Sequence, residues 1–157
     1  MSRFIIALVS FGLMAGACND ASQDEHADHK NGYAPVLKTR EDSLFHEVMK
    51  GHDAGMANIG KLRGNIKETT HRLDSLGKLP AKKVDAAYMQ ALITLQTELK
   101  NADELMDSWM QQFKLDSMAG NKALRLKYLE EESIKVTVVK ENILAVLQRA
   151  DSLLKRQ

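Results

Sequence analysis

The chain has 157 residues, with 22 Lys and Arg against 21 Asp and Glu, few aromatic residues, two prolines and one cysteine. A near-neutral balance leaves no electrostatic footprint for nucleic acid, and a single thiol excludes an internal disulfide. The abundance of Leu, Ala, Lys and Glu predicts an all-α body of ordinary domain size.

The first element reads as a targeting segment. In "MSRFIIALVSFGLMAGACND", Arg3 supplies a positive start, Phe4 to Met14 an uncharged apolar run too short to span a bilayer, and Ala15-Gly16-Ala17 the small residues before Cys18. Residues 1–17 are therefore expected to be a signal peptide cut before Cys18. The small residues also fit an ordinary secretory site, which cuts the same bond. Lipidation of Cys18 is the expected fate of the thiol, because a lone exposed thiol in an oxidising compartment is reactive. The implied location is the cell envelope, anchored through the lipid on the outer membrane, at its periplasmic side or at the cell surface. Loss of Arg3 takes the 22 basic residues to 21, equal to the 21 acidic ones.

Residues 18–39 are polar, lack an apolar period and contain Gly32 and Pro35. They predict a disordered tether with a reach on the order of 25 Å.

Residues 40–157 predict a three-helix bundle, with helices at about 40–76, 81–114 and 121–155. Thr39 is placed to cap helix one, with Asp42 complementing its positive end. Its stripe runs Phe45, Val48, His52, Gly55, Ile59, Leu62, Ile66, Thr69, Leu73 and Leu76 at alternating three- and four-residue spacing. Gly77 is expected to turn left-handed past the helix end, and Pro80 to open the next helix.

Helix two carries Val84, Tyr88, Leu92, Leu95, Leu99, Ala102, Met106, Trp109 and Phe113 on the same spacing. Helix three, capped by Asn121 or Asp116, carries Leu129, Glu132, Val136, Val139, Ile143, Val146, Ala150 and Leu153. Short connections make the arrangement an antiparallel, up-down-up bundle of long helices.

Antiparallel helices pair residues equidistant from their turn. This arithmetic gathers Met49, His52, Asp53 and Met56 with Met106, Trp109, Met110 and Glu132. Two chemistries fit such a layer. Met49, His52, Met56, Met106 and Met110 form the thioether and imidazole set that a soft cation such as copper(I) prefers. Alternatively His52, Asp53 and Glu132 are buried polar groups, His52 pairing with Glu132 to set helix register while the methionines fill core gaps. The packed layer without a cofactor is the expected arrangement, and copper the alternative. Gly51, Gly55, Gly60 and Gly64 together give up roughly 3–4 kcal/mol of helix propensity, which implies a close neighbouring helix, a kink or space for a ligand.

No catalytic residue is expected. The one cysteine is consumed by lipid, no glycine-rich phosphate loop follows a strand, and no Ser-His-Asp order stands out. The expected role is a structural or interaction module held at the membrane by its lipid. Leu105, Leu124 and Leu147 are candidate exposed residues for a protein partner or for self-association. The alternative is a periplasmic copper-type binder, or a metal- or stress-sensing adaptor, using the Met/His layer.

The segments "FHEVMKGHDAGMANIGKL", "LKNADELMDSWMQQF" and "YLEEESIKVTVVKENILAVL" resemble a group of small lipoproteins from Bacteroidetes-type bacteria labelled "viral A-type inclusion protein". The label itself names no activity. The resemblance implies a lipid-anchored helical envelope protein.

Overall fold

The computed structural model describes residues 37–155. The expected signal peptide, Cys18 and nearly all of the expected tether lie outside the described residues. Three helices account for most of what is described: α1 (Arg40–Gly77), α2 (Ala86–Gln112) and α3 (Lys122–Leu154), with a 3-10 turn at Ala81–Lys83 and no strand among the described residues.

The direction of each helix follows from its cross-links. Arg40 pairs with Glu130 and Lys61 with Asp151, both at a sequence separation of 90, so α1 and α3 run the same way in constant register. Between α1 and α2 the partner number falls as the first rises: Arg63 bonds Asp103, and Arg72 bonds Tyr88. The bundle is therefore up-down-up, as expected.

Helix starts obey local chemistry. The Thr39 hydroxyl accepts from the Asp42 amide at 3.1 Å while the Asp42 carboxylate accepts from the Thr39 amide at 2.9 Å, a reciprocal cap. Asn121 caps α3 through the Leu124 amide at 3.1 Å. The first connection differs from expectation. Gly77 remains within α1, and the Lys78 cap (φ −85°) is right-handed, its amide reaching Ser75 and Leu76 carbonyls. Pro80 opens the 3-10 turn instead of α2. The helix proper waits for Asp85, whose carboxylate accepts from the Ala87 and Tyr88 amides at 2.9 and 3.1 Å. A side-chain cap for the free amides thus sets the start near 86 rather than 81. At the other end, Phe113 turns extended (ψ 126°) and stops α2 two residues short of 114.

The expected stripe of α2 is buried from Leu92 through Trp109, and that of α3 from Leu129 through Ala150. The seam of α1 lies one residue to the side over its first turns. Leu44, Val48, Gly51, Gly55, Ile59 and Leu62 are buried, whereas Phe45 and His52 sit on its flank. Glycine offers no hydrophobic side chain to a pattern reading, yet it allows the tightest approach. A Cβ on Gly51 would come within 2.8 Å of Val136 Cγ1, and one on Gly55 would meet the Met106 terminal methyl; nothing lies within 4 Å of a Cβ on Gly60 or Gly64. Leu147, expected on the surface, is buried at 4% exposure, while Leu105 and Leu124 are exposed.

Candidate functional site at the Trp109 and Glu132 layer

Glu132 occupies a seam position of α3, which drives its carboxylate into the core. A buried carboxylate needs donors, and two reach it. Trp109 Nε1 donates to Oε2 at 2.9 Å, and Lys135 Nζ donates to Oε1 at 2.7 Å from one helical turn away. Lys135 keeps much of its side chain in solvent and brings its charge in from outside. The hydrogen bond and charge of Glu132 hold the Lys135 ammonium above the ordinary lysine value of 10.5.

Trp109 also begins a file of rings. Its centroid lies 5.7 Å from His52, tilted by 37°, and 5.1 Å from Phe113, stacked within 18°. Phe113 stacks in turn on Tyr128 at 6.1 Å, and the Arg125 guanidinium carbon sits 5.9 Å over the Tyr128 ring. Offset stacking and cation-π contacts of this kind each add roughly 0.5–1.5 kcal/mol beyond area burial.

The expected His52–Glu132 pair is replaced by another partner choice. His52 Nδ1 lies 2.9 Å from Asp53 Oδ1, its neighbour in sequence. Asp53, expected to be buried, has 73% of its side chain exposed, and His52 is half-buried at 22%. The displacement has a geometric cause. The first connection is centred past Pro80 and not at Lys78–Leu79, so α2 slides along α1 and brings Trp109, not Leu105 or Met106, to His52. The parallel register of α1 and α3 then carries Glu132 below His52, with Trp109 between them.

The five residues of the thioether set divide. Met106 is fully buried with its methyl against Gly55, Met49 and Met110 are half-buried, and Met56 is 38% exposed. His52 touches the layer through Trp109. Among the described residues no three His, Cys, Asp or Glu side chains assemble as a metal-ion set, and no helix is long and apolar enough to cross a membrane.

No family model, no curated protein and no solved structure matches the chain.

One participant escaped the sequence reading altogether. Arg125 is only 7% exposed. Its Nε donates to Glu41 Oε1 at 3.0 Å and its Nη1 to the Ser117 carbonyl at 2.9 Å, tying the second connection to the start of α1. A usable signal was present, since Arg125 stands one seam step before Leu129 and Glu132. Charge made it look like surface. A shallow groove between α1 and α3, lined by Glu47, Lys50, Gly51, Ala54, Ser133, Thr137 and Lys140, borders the close approach at Gly51.

Proposed function

We propose that the chain is a lipid-anchored envelope protein whose helical bundle serves as a structural or interaction module rather than as a catalyst. The observation that carries this reading is the mutual engagement of the middle layer. Glu132 is held between Trp109 and Lys135, and His52 lies against Trp109 with its Nδ1 on Asp53. A general acid or base needs a proton-transfer partner at a reachable face, and Glu132, the one buried carboxylate of this layer, has both oxygens occupied. Such an arrangement fixes register and orients rings, which suits a rigid spacer. The anchor rests on Arg3, the apolar run and the small residues before Cys18. The resemblance to small envelope lipoproteins supports the same reading.

The experiment is membrane fractionation with in-cell cross-linking. The native chain is expected in the membrane fraction with a reproducible cross-linked partner, itself included, and Cys18→Ala in the soluble fraction. A chain that stays in the membrane fraction without Cys18 and cross-links to nothing argues against the module.

A second reading has one specific support. Asp53 lies against Nδ1 of His52, the kind of outer hydrogen bond that orients a ligating imidazole, and in this reading Nε2 would share a soft cation with Met49, Met106 or Met110. Copper(I) titration against a competing chelator tests it. A tight site lost in His52→Ala and Met106→Leu supports the reading, and identical binding in the variants removes it.

A further inference from the structure

The two ends of the bundle present different surfaces. At the end where α1 begins and α2 gives way to α3, Leu37, Leu115, Met118 and Leu124 are 43%, 60%, 51% and 48% exposed. At the opposite end Leu79, at 46%, is the large apolar side chain left exposed among the described residues. The turn that carries Leu115 and Met118 is tied down from two sides: Arg125, itself buried, links the Ser117 carbonyl to Glu41, and the Tyr128 hydroxyl accepts from the Lys114 amide at 2.8 Å. Met118 is held at φ 60° by the chain of turn hydrogen bonds from Lys114 to Asn121, a conformation unusual for a residue other than glycine. Exposed Lys38 and Lys114 are the chain neighbours of Leu37 and Leu115, exposed Lys122 lies two residues before Leu124, and exposed Asp116 is the acidic residue beside Leu115.

We propose that this end is a membrane-docking plate. Leu37, Leu115, Met118 and Leu124 enter the boundary between headgroups and acyl chains of an anionic bilayer, Lys38, Lys114 and Lys122 face its phosphates, and the bundle stands upright on it. The inference rests on the lipid anchor at Cys18. Charge does not choose between the ends, because Lys78, Lys82 and Lys83 lie at the opposite one. The point of attachment does. Residues 18–36 separate Cys18 from Leu37, a length of chain that reaches at most about 65 Å. The opposite end lies a further ~55 Å away along the 38 residues of α1. A tether of this length holds the near end at an effective concentration on the order of millimolar, so weak surface affinity is enough to keep it seated.

The test uses the lipidated chain purified from producing cells and reconstituted in phosphatidylcholine vesicles with or without phosphatidylglycerol. Because lipid blocks Cys18, Met118→Cys or Leu79→Cys supplies the one free thiol for an environment-sensitive fluorophore. Both positions are exposed, and helical circular dichroism checks each fold. The label at 118 is expected to shift blue and to be quenched several-fold by acyl chains brominated near the headgroup, while the label at 79 is unaffected. Lys38→Gln, Lys114→Gln and Lys122→Gln together are expected to reduce the quenching only in vesicles with phosphatidylglycerol. Equal quenching at both ends, or none at 118, overturns the proposal, as does a signal at 118 that follows protein density instead of brominated lipid. A reactive Cys18 thiol in the parent chain removes the anchor itself, a separate failure.

Discussion

Trp109 Nε1 donates to the buried Glu132 carboxylate at 2.9 Å across α2 and α3. Hydrogen bonds to charged groups contribute about 1.5–3 kcal/mol, and a buried acceptor left without its donor costs a similar amount. Trp109→Phe is therefore expected to lower unfolding stability by about 2–3 kcal/mol in urea titrations. A double-mutant cycle with Glu132→Gln should return a coupling of about 1 kcal/mol or more. Additivity within a few tenths of a kcal/mol means that the bond does not hold the layer.

The four glycines of α1 separate into two kinds. Gly60 and Gly64 have open space around a would-be Cβ. Their replacement by alanine should raise stability by about 0.5–1 kcal/mol each, through helix propensity and a less flexible unfolded chain. Gly51→Ala should instead lower it by about 1–3 kcal/mol, because Val136 is stiff at χ1 and cannot turn away. Gly55→Ala is expected to cost less, since the atom in its way is the flexible end of Met106. Thermal unfolding of the four variants gives the order, and a stabilising Gly51→Ala contradicts the close approach.

Arg125→Met keeps the length of the side chain but removes its bonds to Glu41 and to the Ser117 carbonyl. With Glu41 partly in solvent, the expected loss is about 1–2 kcal/mol. Hydrogen exchange should rise first in the turn amides that these bonds immobilise, those of Ser117, Ala119 and Asn121. Unchanged exchange there places the restraint elsewhere.

Two ion pairs are expected to contribute to opposite limbs of the pH profile. Lys135 is raised above 10.5 by its hydrogen bond to Glu132, so its contribution is complete below 10.5 and lost as pH rises through the higher folded value. Asp151 is lowered from 3.8 by its hydrogen bond to Lys61, so its contribution is complete above 3.8 and lost as pH falls through the lower folded value. Lys135→Met should flatten the alkaline limb, and Lys61→Met the acid limb, when unfolding is followed across pH. Limbs unchanged in both variants count against these assignments.

Much of the architecture was legible because it rests on local chemistry. Thr39 with Asp42 and Asn121 with Leu124 are satisfied within four residues, and the α2 and α3 stripes repeat with the helix. The site was less legible because it depends on register between helices. A connection that keeps Pro80 to Asp85 out of α2 moved Trp109 into the position expected for Met106, and the carboxylate expected for His52 went to the indole. The α1 seam passed through Gly51, which carries no hydrophobic signal, and Arg125 was hidden by its charge.

The proposed attachment of this bundle to the envelope depends on a lipid on Cys18, and the mass of the N-terminal proteolytic fragment of the native chain reads that lipid out. The expected fragment begins at Cys18 and is heavier by its acyl groups. A fragment that begins upstream of Cys18, or one that carries an unmodified thiol, contradicts it.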